Sequence, residues 1–382
     1  MNTAESIAET ATEPTPLAIH LGMQTAAYLG VRTPPGFAQG RPADQDASAA
    51  EIFPLLTGAA VHDLGWLRRI AVRGEDRERW LSGMVTNAVD SLPSHGGAYN
   101  LVLNAQGRIQ GDVQVWKSGN SLELEINADQ SAALLAHFDH FIIMDDVELV
   151  PMEDKAAIGI TGPLAGKILS ALGLPNFQDE FSSSMGQAGG IEVEVERGYG
   201  PLVPRFALWT STAQIPALWQ SIVSAGATPV GSDAIECLRV VEGVPAYGID
   251  IQSRDLVQET AQMRAVSFTK GCYLGQEIVE RIRSRGQVHR HLRALELFPE
   301  AGTQLPAAGS ELRPATAEPD AKPAGNITSI TQLQLGRKIR VFAIGMVRAE
   351  AEIGNRPLAY DGGTAAILHT APKSLVGESN LS

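Results

Sequence analysis

A cysteine sits in "KGCYLGQEIVERIRSRG", residues 270–286, beside Lys270, Gly271 and Gly275 and ahead of a run with helical periodicity. Near a helix N-terminus the Cys272 thiol would feel the positive end of the helix and the Lys270 ammonium, and both favour a thiolate. The alternative is a small residue in a tight turn between glycines. The other cysteine, Cys237 in "AIECLRVVEG", falls on an apolar helical face and is expected in the core. Two cysteines without CxxC spacing supply no disulfide framework, dithiol redox pair or all-thiolate zinc cage.

In "LNAQGRIQGD" Asn104 and Asp112 bracket a turn, so both could point into one cavity, where Asp112 could accept a proton or hold an amine. Turn chemistry alone also explains an Asn and an Asp there. Asn127 in "EINAD" is a polar residue at a strand end, and Arg239 in "LRVVEG" lies on a helix. His289 and His291 share one strand face with no acid near them in the sequence, so no metal-ligand spacing emerges. No glycine-rich nucleotide loop, Walker loop or GxSxG element is present.

The elements that must hold these residues follow from periodicity. "RRIAVRG" alternates as a strand, and "EDRERWLSGMV" puts Trp80, Leu81 and Met84 on one helical stripe. "AYNLVLNAQGRIQGDVQVW" predicts a hairpin, "SLELEINAD" a strand, and "QSAALLAHFDHFII" a helix with Leu134, Leu135, Phe138 and Phe141 inward. A second unit repeats the texture: strand "AAIGITG", a helix from Pro163 to Gly173, strands "IEVEVERG" and "RFALWT", and helix "AQIPALWQSIVSAG". After Gly286 short strands separated by Gly and Pro predict a small β-barrel. The organisation expected is an N-terminal extension over 1–50, disordered to about residue 15, with a Pro/Gly-punctuated loop at 33–48. Two interleaved α+β units over 51–285, a barrel over 286–372 containing a surface loop "PATAEPDAKPAG", and a tail over 373–382 complete it.

A chain of 382 residues exceeds one ordinary domain, and 44% hydrophobic with 19% charged residues is normal for a globular protein. Its formal charge of −13 argues against broad electrostatic binding of nucleic acid. The local cluster Arg281, Arg283, Arg285, Arg290 and Arg293 could instead serve an anionic partner or simply form a solvated face. No run is long and apolar enough to span a bilayer, and the N-terminus lacks the pattern of a secretory signal, so a cytoplasmic location without membrane contact is expected.

The stretch at 270–281 resembles the signature of the YgfZ-type folate-binding proteins, relatives of the glycine-cleavage T-protein (aminomethyltransferase). That pattern is K-G-C-aromatic-x-G-Q-E-x-x-A-R, matched by Lys270, Gly271, Cys272, Tyr273, Gly275, Gln276, Glu277 and Arg281, with Glu280 in place of the usual alanine. The hairpin, "LRVVEGVPAYGIDI", Glu259 in "VQET", and "GNITSI" followed by "AIGMVR" extend the resemblance over most of the chain. It implies a T-protein-like α+β cloverleaf of three domains, two antiparallel-sheet α+β units plus a C-terminal β-barrel, around a folate-sized hole. Asn104, Asn127, Tyr199 and Arg239 would contact tetrahydrofolate or a derivative, with Asn127 at the pterin edge and Arg239 on an anionic side. By that resemblance two acids of the T-protein are replaced: Gly111 precedes Asp112 where a carboxylate pair is usual, and Pro201 stands where a glutamate grips the pterin. Losing those acids favours a folate-binding accessory over an aminomethyltransferase. Such a protein supports assembly or repair of iron–sulfur enzymes, and through them tRNA modification, with iron–sulfur enzymes or assembly factors as partners and no direct nucleic acid. Cys272 would be a reactive thiol near the far rim of the pocket.

Overall fold

The computed structural model describes residues 15–21, 49–119, 121–315, 322–335, 338–354 and 356–376. The expected disorder before residue 15, the loop at 33–48, the middle of "PATAEPDAKPAG" and the last residues of the tail lie outside them. In chain order come α1 (Pro16–Leu21), α2 (Ala49–Thr57), β1 (Ala60–Asp63), β2 (Leu67–Arg73), α3 (Arg77–Met84), β3 (Gly97–Leu103), β4 (Ile109–Ser118), β5 (Ser121–Asn127), α4 (Ala128–Asp139) and β6 (Glu148–Pro151). Strands β2 to β6 form an antiparallel sheet in the order β3-β4-β5-β2-β6. Its apolar positions, such as Ile70, Val72, Leu122, Leu124 and Val113, pack with Trp80 and Leu81 of α3 and Leu134 and Phe138 of α4. Period-2 alternation then puts Arg69, Glu123, Glu125 and Asn127 on the opposite face.

The second unit is built from β7 (Lys155–Thr161), α5 (Ala165–Ala171), β8 (Ser183–Ala188), β9 (Ile191–Arg197), β10 (Arg205–Ser211), α6 (Ile215–Ser224) and β11 (Thr228–Pro229). Strand β1 leaves the first unit and pairs antiparallel to β7 and parallel to β11, giving the order β11-β1-β7-β10-β9-β8. Ile158, Ile160, Val193, Val195, Phe206 and Leu208 pack against α5 and α6. Glu194, Glu196, Ala207 and Trp209 therefore occupy the other face. The two sheets meet through these polar faces and are stitched by Gly97 N–H to Phe181 O (2.8 Å) and Ser183 N–H to His95 O (2.7 Å). Gly159 of β7 leaves room for a buried imidazole, since a Cβ there would lie 2.0 Å from the His62 ring.

Helix α7 (Ser232–Glu242) is buried nearly all round. It joins the two units to the barrel, and Cys237 on it is core, 2% exposed. After α8 (Gln276–Arg285), strands β12 (Arg290–Pro299), β13 (Glu311–Pro314), β14 (Gly325–Leu335), β15 (Lys338–Arg348), β16 (Leu358–Tyr360) and β17 (Gly363–Leu368) close a barrel in the order β12-β15-β14-β13-β16-β17. A short α9 (Ala349–Glu352) caps β15. Among the described residues no helix is long and apolar enough to cross a membrane.

The segment 270–281 is an architectural lock. The Lys270 ammonium donates to the carbonyls of Ser82 (2.7 Å), Val85 (2.7 Å) and Asn87 (2.8 Å), gathering the C-terminal end of α3. Gly275 caps α8 at φ +82°, and a Cβ there would meet Asn104 O at 2.6 Å. In return Gly107, at φ +70°, faces Ile278 of α8, where a Cβ would come within 2.7 Å. Gly275→Ala should lose ~1–2 kcal/mol from the left-handed backbone alone, plus the clash with a main-chain oxygen. Thermal denaturation followed by circular dichroism should show a Tm several degrees lower, and an unchanged Tm would remove the lock.

Candidate functional site

Between the polar faces of the two sheets and the segment after α7 lies a cavity of about 260 Å³. Its walls are apolar, with Trp66, Trp116, Phe206, Leu238 and Tyr247, while His62, Asp112, Glu125, Asn127, Glu196 and Arg205 supply polar atoms. His62 is buried and its Nε2 lies 3.0 Å from Thr161 Oγ1. Burial pushes its pKa down to about 3, so the ring is neutral at working pH. Asp112 Oδ2 accepts from the Tyr99 hydroxyl and Oδ1 from Gln130 Nε2, both at 2.8 Å. Burial raises the Asp112 pKa against the pull of those bonds. Burial, followed by the neighbouring Asp112, brings Asp129 up to about 6.

The floor is a charge cluster. Arg69, 3% exposed, reaches Glu123 at 2.6 Å, Glu196 at 2.6 Å, Glu194 at 3.4 Å and Glu125 at 3.9 Å. One guanidinium thus faces four carboxyl groups drawn from β5 and β9, the strands "SLELEIN" and "IEVEVER". The Glu125 oxygens accept from Gln114 Nε2 (2.6 Å) and Trp209 Nε1 (3.2 Å). Glu196 is fully buried, and apart from the ion pair with Arg69 neither of its oxygens has a hydrogen-bond partner. Burial raises the pKa of both Glu125 and Glu196, for Glu196 well above the ordinary value, although Arg69 works in the opposite direction.

Of the residues expected at a ligand pocket, Asp112, Asn127 and Arg239 line this cavity. Asn104 does not: its Oδ1 accepts the Gln106 and Arg108 N–H groups (3.0 Å each), so it builds the hairpin turn. Tyr199 is also outside the lining and instead packs on Arg264, whose guanidinium carbon sits 3.8 Å from the Tyr199 ring and 4.4 Å from that of Tyr99. Arg239 is present but committed. Its five N–H donors go to both Glu236 oxygens, Val244 O, Asp250 Oδ2 and Ser329 Oγ, at 2.5–3.0 Å. Holding a ligand anion would require giving up one of these bonds.

Acids are absent at Gly111 and Pro201, and other carboxyl groups line the cavity. Gly111 points away from the cavity, because a Cβ there would meet Gln130 Oε1 and Leu134 Cδ2 at 2.8 Å, so a carboxylate at 111 would not stand beside Asp112. The cavity holds three carboxyl groups, Asp112, Glu125 and Glu196. Sequence reading missed the two glutamates because an alternating Glu in a strand reads as solvent-facing. The only signal was that two such strands existed, one in each unit.

Cys272 is exposed and does not line the cavity. The helix begins at Gln276 with Gly275 as its cap, so the thiol lies ahead of the first turn where the dipole acts, and the nearby ammonium is occupied by carbonyls. Burial lowers the Lys270 pKa to about 8. Gly271 has open space around it, Tyr273 is buried, Gln276 N–H bonds Tyr273 O, and Glu277 and Arg281 are exposed on α8. The basic cluster is largely paired: Arg290 with Asp255 and Glu259, Arg293 and His291 with Glu352, Arg283 with Glu280. An acid does therefore stand by His291. Among the described residues no group of three His, Cys, Asp or Glu side chains could hold a metal ion.

Burial of Glu196 has a pH consequence with a definite sign. The unfolded chain loses this proton near the ordinary glutamate value of 4.5 and the folded protein later, so stability falls as pH rises between the two values. Glu196→Gln should raise the Tm, by more at pH 8 than at pH 5; an effect independent of pH would contradict the assignment. Arg69→Leu should cost about 3–5 kcal/mol by stranding buried carboxylates.

The GCVT N-terminal domain profile matches residues 17–270. A chloroplastic protein of Arabidopsis thaliana, named as a transferase, is 27% identical over 322 residues, 82% of this chain and 70% of that protein. The tRNA-modifying protein YgfZ of Yersinia enterocolitica is 24% identical over 311 residues, 76% of this chain and 89% of its own. Aminomethyltransferase T of the glycine cleavage system from Bartonella henselae superposes with a TM-score of 0.72 at 19% identity, covering 86% of this chain and 90% of that one, a likeness of fold.

Proposed function

The chain belongs to the GCVT N-terminal domain family, and from that premise we propose a tetrahydrofolate-binding protein of the YgfZ type, acting in support of tRNA modification. The observation that carries the binding half is the cavity floor. A pterin ring is flat, apolar on its faces and rich in N–H donors along one edge. Aromatic walls with a buried glutamate at the bottom, paired with Arg69 alone, suit that shape and polarity. At about 260 Å³ the cavity falls below the ~300–1,000 Å³ usual for drug-sized ligands, so it suits the bicyclic head and not a whole folate. Its acidic floor also disfavours the anionic glutamate tail, which sets the orientation: pterin inward, tail outward. Glu196, Glu125 and Asn127 would meet the donor edge, and Trp116 and Tyr247 the ring faces. Bound tetrahydrofolate supplies a carrier for one-carbon units.

The iron–sulfur part of the proposal, assembly or repair of cluster enzymes with Cys272 as the working thiol, rests on the resemblance of the segment at 270–281. Its structural support is that Cys272 is exposed on a loop fixed at both ends, by Lys270 and by Gly275, whereas Cys237 is buried. A second reading, folate-dependent aminomethyl transfer, is favoured by one observation: Asp112 remains in the cavity, held by Tyr99 and Gln130, where it could accept a proton.

Titration with tetrahydrofolate should quench the fluorescence of cavity tryptophans with saturation below millimolar concentration, roughly −4 kcal/mol or better. Absence of saturable binding would remove the folate reading. Alkylation should modify Cys272 far faster than Cys237; equal, slow labelling would make Cys272 structural. Robust formation of methylene-tetrahydrofolate from an aminomethyl donor would promote the transferase reading over the accessory one.

A further inference from the structure

Glu196 and Glu125 approach the same guanidinium from different sheets, and their carboxyl groups act directly on one another. Asp112 of β4 and Arg239 of α7 line the same cavity, each already held by its own hydrogen bonds, and the nearer charged neighbours among the described residues are these. Arg69 of β2 is the sole cation in the cluster, Glu123 comes from β5, Glu194 from β9, and His62 of β1 is neutral. Arg205 of β10 is paired with Glu242 of α7. The uncharged groups in contact are Trp209 and Gln114, and both donate to Glu125. Glu196 has no such donor, although it is wholly buried and lines the cavity. Glu123 and Glu194 keep 12% and 13% of their side-chain surface exposed, but Glu125 and Glu196 are buried on the one guanidinium and cannot both stay ionised, because an uncompensated buried charge costs several kcal/mol.

Resting on the tetrahydrofolate reading, we propose that Glu125 and Glu196 share one proton in the free protein, and that a ligand bringing N–H donors into the cavity displaces it. The vacated oxygen of Glu196 then accepts the ligand N–H, and the proton leaves to the buffer. Binding is thereby restricted to neutral or cationic donor edges, because an incoming carboxylate or phosphate would have to sit against the pair. Raised carboxyl pKa values from burial agree with a retained proton. Affinity should rise with pH until the pair ionises unaided.

Two measurements on the full-length protein separate this proposal from the reading beneath it. Infrared spectra of the free protein in deuterated buffer at neutral pH should contain a protonated carboxyl C=O band that disappears in Glu196→Gln and in Glu125→Gln. Calorimetry with tetrahydrofolate in buffers of different ionisation enthalpy should report release of about one proton per ligand. In Glu196→Gln that release should fall to about zero, with affinity weakened about tenfold or more. Circular dichroism of both variants checks that they fold. A free protein without the acid band overturns the shared proton whatever the ligand does. A band that persists under saturating tetrahydrofolate, or binding without proton release, overturns the exchange. An acid band with no saturable binding sinks the tetrahydrofolate reading and the exchange together, and leaves the shared proton established.

Discussion

Arg69 is the point from which the central architecture can be understood. Two sheets that cover their apolar faces with helices are left with polar faces, and here those faces meet each other instead of water. Strand β5 brings Glu123 and Glu125, strand β9 brings Glu194 and Glu196, and one buried guanidinium holds the seam. Trp209 adds its ring beneath the guanidinium at 5.1 Å, which places further favourable electrostatics on the same cation. A wholly apolar seam would pack shut. The charged one leaves a gap on one side, and that gap is the cavity.

Much of the fold was legible because each element carries its own period. The hairpin around "NAQG", the helix from 128, the alternating strands and the barrel strands after 290 appear where their patterns put them. Strand β16 is not legible by itself, because three residues between loops carry no readable period. The reassignment of β1 to the second sheet was also invisible: a four-residue strand looks the same whichever partner it takes. The site was less legible for a related reason. Alternation in "LELEIN" and "VEVER" states that glutamates share a face, but it cannot state what covers that face.

The segment at 270–281 shows how function and architecture can be confused in a motif. Lysine, glycine and cysteine together suggested an activated thiol. In the structure the lysine gathers the end of α3 and Gly275 seats the hairpin turn, so most of the pattern fixes one loop against the first unit. Asn104 belongs to the same construction, with its carbonyl against Gly275 and its side chain closing the turn. What architecture leaves exposed in the pattern is the Cys272 thiol beside Gly271, with Glu277 and Arg281 on α8.

Arg239 makes the complementary point about charge. Burial works against its cationic form, yet the Glu236 and Asp250 carboxylates raise its pKa, so it stays charged. Its bonds to Asp250 and Ser329 tie α7 to β14, and Thr328 and Ser329 both donate to Asp250 at the bulge in that strand. The same residue lines the cavity. A change in the cavity wall that shifted Arg239 would have to break a bond to the barrel, and a shift of the barrel would have to disturb the wall. With all five donors engaged there is no spare bond to absorb either displacement. The cavity and the C-terminal barrel are therefore mechanically joined through one guanidinium, as the two sheets are joined through Arg69.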